Sequence, residues 1–230
     1  MRNADLELED ELEDLARTLS ESDLESESGW EGDAPRYVPP GRCTPVGTRV
    51  GSFVYSPLDF TRIVSFLGVT VSPATLRSAV EAAAAWGVSL ASTAALLLDA
   101  PNRTGVTRVA FCAAFGVPPT FVPPWRKAGD SWQDLGDLIA IRLRKVAKLL
   151  DGGCIQYFAL GNSGYCADCK GAFSDPSTYF ACSSFHNIYQ ICLGFPFWRA
   201  WKDHDPVTTA LILVHEPLHI YYGQAGVHHI

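Results

Sequence analysis

"DPVTTALILVHEPLHIYYGQAGVHHI", residues 205–230, is the stretch on which the reading of this chain turns. An apolar run leads into His215-Glu216-Pro217-Leu218-His219, a match to the pattern H-E-x-x-H. At helical pitch, histidines four positions apart stand one turn apart on the same face, so their rings can converge on one tetrahedral ion. The carboxylate between them can reach toward the open side of that ion. The preceding "TTALILV" is apolar enough to bury the helix in a core, which holds ligands rigidly. All six histidines (His186, His204, His215, His219, His228 and His229) fall in the C-terminal fifth of the chain.

Two histidines and a glutamate in this pattern have a definite chemistry. His215 and His219 are the candidate zinc ligands, and Glu216 is the candidate general base acting on a water whose pKa the ion lowers toward neutrality. Pro217 sits inside the motif and lacks a backbone N–H, so a kinked helix is expected. For a third ligand, Tyr222 and Ala225 stand where the metzincin pattern requires Gly and His, and no Asp follows His219. The stretch offers His228, and next to it His229.

Upstream, residues 154–194 have the texture of strands. "CIQYFAL", "STYFACS" and "NIYQICLG" are short, rich in β-branched and aromatic residues, and bounded by Gly, Asn, Asp and Ser. They read as a small antiparallel sheet. Five of the seven cysteines (Cys154, Cys166, Cys169, Cys182 and Cys192) lie here, Cys166 and Cys169 forming a CxxC. Disulfides across the sheet, a structural zinc and free thiols are the three readings of this group. With seven cysteines at least one stays unpaired.

The N-terminal half reads as helices. "VSPATLRSAVEAAAAWG" has Ser72 at an N-cap, Pro73 at the first helical position and Gly87 as a stop. "SLASTAALLLDA" follows as a second helix and "TRVAFCAAFG" as a short third. The proline-rich "VPPTFVPPW" is an extended connection. The clearest helix is 131–150, with Ser131 and Asp134 at its start and Gly152-Gly153 as its stop. Asn102-Arg103-Thr104 matches a glycosylation acceptor and is read as a chance match.

Charge separates the chain into two parts. Residues 1–33 carry 13 acidic side chains against two arginines, whereas the remainder is mildly basic, so the overall charge of −7 conceals a bipolar chain. Residues 1–34 read as an acidic, disordered tail, with Leu8, Leu12, Leu15 and Leu19 at the spacing of a short amphipathic helix. Residues 35–230 read as one domain. The small, unclustered basic excess argues against nucleic-acid binding. No apolar run reaches the roughly 18–20 residues of a membrane span, and no signal or transit sequence is read at the N-terminus. Export by a route independent of a signal peptide, or retention in the cytoplasm, follows as the expectation.

From about Cys154 onward the order of parts resembles the aspzincin metalloendopeptidases, the family of deuterolysin and peptidyl-Lys metalloendopeptidase. The resemblance is carried by "YCADC", "STYFACS", "IYQICLGFPFW", a short loop and "TTALILVHEPLH". The helices from roughly residue 73 to 150 resemble the family's helical half more loosely. The resemblance implies that His215 and His219 bind Zn2+ and that Glu216 is the base. In that family an aspartate from a Gly-Thr-x-Asp-x-x-Tyr-Gly segment is the third ligand, and its Tyr stabilises the transition state. Here His228 stands at the aspartate's place, preceded by Gly226, and the family's Tyr has no counterpart. The third ligand is therefore replaced by His228, or His229, or was lost because the chain is a truncated form of something longer.

The expected fold is α+β: a helical N-terminal half, a small antiparallel sheet and a zinc-binding HExxH helix near the C-terminus. The expected activity is zinc-dependent hydrolysis of a protein or peptide substrate. The alternative is an aspzincin-derived domain without catalysis, serving as a binding, toxin-associated or assembly module, which Pro217 and the missing Asp and Tyr favour.

Overall fold

The computed structural model describes residues 52–99, 102–160, 179–184 and 189–222. They form two compact units: one contains residues 94–142 and the other residues 52–93 and 143–222, in both cases as far as described. Among the described residues there are six helices and a four-stranded sheet, an α+β architecture.

The larger unit is built around the sheet. Strands β1 (Ser52–Val54), β2 (Gln156–Phe158), β3 (Ala181–Ser184) and β4 (Gln190–Leu193) lie in the order β1-β2-β4-β3. β1 pairs with β2 and β2 with β4 in parallel, and only β3 runs antiparallel, Cys182 opposite Cys192 and Ser183 opposite Ile191. The sheet is thus mixed, correcting the antiparallel expectation. Parallel neighbours need long crossovers, and the helical segments between β1 and β2 supply one. No local sequence signal distinguishes such a pairing from a hairpin. β1 had no sequence-level signature at all.

One face of the sheet carries Tyr157, Ile191 and Leu193 into the main core, where they join Ile63, Leu76, Val80, Leu150, Phe197, Trp198 and Leu213. The other face carries Phe158 and Cys192, packed with Val54 and Cys182. This follows from the two-residue repeat of a strand. Tyr157 is fully buried, and among the described residues its hydroxyl has no hydrogen-bond partner. Burial pushes the phenol pKa up, so the group stays neutral. Tyr157→Phe is expected to raise unfolding stability by about 1 kcal/mol, because it removes a polar atom buried without compensation. A loss of stability in urea titration would disprove that account.

Helix α1 (Pro57–Leu67) starts with a complete capping box: Ser56 Oγ accepts from Asp59 N at 3.0 Å, and Asp59 Oδ2 accepts from Ser56 N at 3.1 Å. It ends at Gly68 in the left-handed conformation, φ 64°. Helix α2 (Pro73–Leu97) runs unbroken through Gly87, so the two expected helices are one. Gly87 is not a stop but a contact point. A Cβ there would lie 3.1 Å from Leu150 Cδ1 and 3.4 Å from both Ala210 O and Val214 Cγ2. The missing side chain is what lets two further helices approach. Gly87→Val is expected to cost about 2–3 kcal/mol in urea unfolding through overpacking; an unchanged midpoint would contradict this reading.

One element bears on the expectation about membrane spans, the merged α2. At 25 residues with a window hydropathy of 1.4 it is long and apolar enough to cross a membrane by length and composition. Within the larger unit its Leu76, Val80, Ala83 and Ala84 are buried in protein core.

In the smaller unit, α3 (Gly105–Phe115) is capped by Thr104, whose Oγ1 accepts from Thr107 N, and stops at Gly116, φ 70°. Asn102 Nδ2 donates to Leu96 O at 2.9 Å. Arg103 binds Asp134 at 2.6 Å, Asp137 at 2.7 Å and Leu98 O at 2.7 Å. Each residue of the apparent glycosylation acceptor thus has a structural task. Helix α4 (Leu135–Asp151) begins after Asp134, which accepts from Asp137 N, rather than at Ser131. It ends as expected at the glycine pair, with Gly152 N donating to Lys148 O and Gly153 at φ 66°.

Candidate metal centre

Two C-terminal helices build the site. Helix α5 (Phe195–Lys202) has no counterpart among the elements read from the sequence, since eight residues are too few for a periodic signal. Its start is set by Gly194, whose N–H donates to Phe180 O and where a Cβ would run into the Tyr179 carbonyl. Trp198, with no exposed surface, donates from Nε1 to Ala159 O at 2.7 Å and so ties α5 to the end of β2. Lys202 Nζ donates to Leu67 O at 2.6 Å, joining α5 to α1.

His204, at φ 57°, turns the chain out of α5. Asp205 then caps the next helix, its Oδ1 accepting from Thr208 N at 2.9 Å and its Oδ2 from Thr208 Oγ1 at 2.6 Å. These bonds to Thr208 hold the Asp205 carboxyl below its ordinary pKa. Helix α6 (Pro206–Tyr222) follows and carries the whole motif. It continues as helix past Pro217, which is buried.

The faces of α6 are sharply divided. Ala210, Leu213 and Val214 are buried in the core. Val207, Leu211 and His215, spaced four apart, are exposed, and His219 continues that row half-buried. His215 and His219 therefore do share a face. Their Nε2 atoms lie 2.9 Å apart and their rings are nearly perpendicular, at 79° with centroids 4.7 Å apart. In the metal-free form this is a hydrogen bond in which one ring donates and the other accepts. Two zinc-bound nitrogens at about 2.0–2.1 Å in tetrahedral geometry are roughly 3.3 Å apart. Opening the pair by a few tenths of an ångström makes it two ligands of one ion, so these residues fit zinc.

Glu216 points elsewhere, into the interior. It is 5% exposed and stands on the helix that packs against β3. Burial raises its pKa to about 7, a rise that the polar Ser183 of β3 opposes. A carboxyl titrating near neutrality can both accept and return a proton.

His228 and His229 lie outside the described residues, as do Cys166 and Cys169. Among the described residues no group of three His, Cys, Asp or Glu side chains is close enough to hold an ion. Cys154, Cys182 and Cys192 are disulfide-bonded, and Cys112 is free. A cleft of about 390 Å3, lined by residues such as Phe66, Phe180 and Arg199, opens near Asp205 at the N-terminal end of α6. Ten residues of helix, about 15 Å, separate Asp205 from His215. Ser183, the residue in contact with the candidate base, has no signal in the sequence, because only the packing of α6 on β3 brings the two together. No family model, curated protein or solved structure matches this chain.

Proposed function

We propose that the chain is a zinc-dependent endopeptidase of the aspzincin kind, with His215, His219 and His228 as ligands and Glu216 as general base. One observation carries the reading: a single helix presents two converging imidazole nitrogens, 2.9 Å apart, and a buried carboxyl of pKa about 7 directly beside them in sequence. Bound zinc supplies Lewis acidity, polarising a peptide carbonyl and lowering the pKa of water. His215 and His219 would hold the metal through Nε2. Glu216 would take a proton from the attacking water and return it to the departing amine. β3 is the sheet edge nearest Glu216, and an extended peptide can pair with such an edge. The disulfide-bonded cysteines suit an oxidising, extracellular compartment.

The test is metal analysis of the purified full chain together with casein cleavage. About one zinc per chain is expected for the parent, falling at least tenfold in His215→Ala and in His219→Ala. Zinc that survives both substitutions, or a metal-free parent after zinc loading, would rule the centre out. Retained zinc without cleavage would favour the non-catalytic binding module.

A further inference from the structure

Within the larger unit, Trp86 of α2 is 52% exposed, although Gly87 beside it is buried where α2 closes on α6. Trp86 lines a cleft of about 250 Å3 that Trp201 of α5 lines as well. Ala83 and Ala79, one and two turns before Trp86 on the same face of α2, keep the space beside the indoles open by their small size. The turn from α5 into α6 adds His204 and Asp205 to the lining. His204, at φ 57°, holds a backbone conformation that is sparsely populated outside glycine and that gathers at ligand sites. Asp205 N donates to Ala200 O at 2.9 Å, which fixes the carboxylate at the rim.

The charge of the lining has one sign. Asp205 is its carboxylate, and no Lys or Arg faces it. Among the described residues Asp205 forms no ion pair; its oxygens accept from Thr208 N and Thr208 Oγ1 on its own helix. A primary ammonium would bring three N–H donors that each need an acceptor on burial, and the Asp205 oxygens are already engaged. A quaternary ammonium brings no donor. Aromatic rings attract it through their electron-rich faces, and a carboxylate attracts it without direct bonding. The volume also suits a compact head, since pockets for drug-sized molecules run from roughly 300 to 1,000 Å3. We propose that this cleft binds a quaternary ammonium group, with the indoles of Trp86 and Trp201 as its aromatic walls and Asp205 as its counter-ion. The site is separate from the histidine pair and does not depend on zinc.

Choline titrated into the full chain, followed by the Trp86 indole N–H resonance, tests the site. A saturable shift is expected. The uncharged isostere 3,3-dimethylbutanol should bind at least tenfold more weakly, because it has the shape without the charge. Trp86→Ala should weaken choline binding at least tenfold, read by calorimetry, and Trp86→Phe should restore part of the loss. Asp205→Asn, which can still cap α6, should weaken it about two- to fivefold. All three variants should keep the parent's urea midpoint. Sedimentation with phosphatidylcholine vesicles but not with phosphatidylglycerol vesicles would identify a lipid headgroup as the source of the group. Choline binding without sedimentation would identify a free small molecule. Absence of both, equal binding of the isostere, or full choline affinity in a folded Trp86→Ala protein would overturn the proposal.

Discussion

Glu216→Gln is expected to retain zinc and to lose about three orders of magnitude in peptide hydrolysis, within the range of a positioned general base. The amide keeps the size of the side chain, but it has no basic lone pair at neutral pH. The same substitution has a second, opposite consequence for the zinc-free protein. The Glu216 carboxyl rises from its ordinary value of 4.5 to about 7 in the fold. Between those values the folded chain binds a proton that the unfolded chain does not. The contribution of Glu216 to stability is therefore greatest below about pH 4.5 and is lost as pH rises through 7. At about 1.4 kcal/mol per pH unit, the full loss is about 3 kcal/mol. Urea unfolding of zinc-free parent and variant at pH 5 and pH 8 isolates the effect. Glu216→Gln should gain on the parent by up to about 3 kcal/mol between the two conditions. Parallel stability curves would mean that the carboxyl is not buried as described, and an active Glu216→Gln would remove it from the chemistry. Stability given up for a buried carboxylate is a common signature of a functional site.

The largest structural loss is expected at Trp198. Its ring is fully buried, makes edge contacts with Phe53, Phe197 and Trp201 at centroid distances of 5.0–6.3 Å, and its Nε1 holds the Ala159 carbonyl where β2 ends. Trp198→Ala removes the packing and leaves that carbonyl unpaired, so a loss of about 4–5 kcal/mol is expected. Trp198→Phe keeps an aromatic ring and should cost about 2 kcal/mol. α5 leads through the His204 turn directly into α6, so the effect should reach the histidines. Zinc affinity of Trp198→Phe should fall with stability, and Gly87→Val, which presses on α6 beside Val214, should weaken zinc binding at a comparable stability cost. Titration of zinc into the refolded variants checks both. A Trp198→Ala protein as stable as the parent would show that the Ala159 bond and the ring contacts contribute nothing.

Much of this was legible locally. The glycine stop at Gly152-Gly153 and the proline start at Pro73 each depend on neighbouring residues, and each is formed. The histidine pair was legible for the same reason: a four-residue spacing places both rings on one face once a helix forms. Gly87 was misread because a glycine that ends a helix and a glycine that admits a neighbouring helix look identical in sequence. Asp134 supplanted Ser131 at the start of α4 in the presence of Arg103, 31 residues away, whose pairing with Asp134 and Asp137 no local window contains. The short α5 and β1 carry too few residues for a period to show.

The sequence by itself determined that His215, Glu216 and His219 stand on one helix with the two imidazoles on one face, because that depends on the pitch of a helix. Only the tertiary structure decided how the strands pair, that α6 buries Glu216 against β3, and that Ser183 is the residue it meets. Those are contacts between segments far apart in the chain, selected by the joint burial of Tyr157, Ile191, Trp198 and Leu213. The pKa of the carboxyl in the HExxH motif is accordingly a property of the packed β3–α6 contact, not of the five letters that announce it.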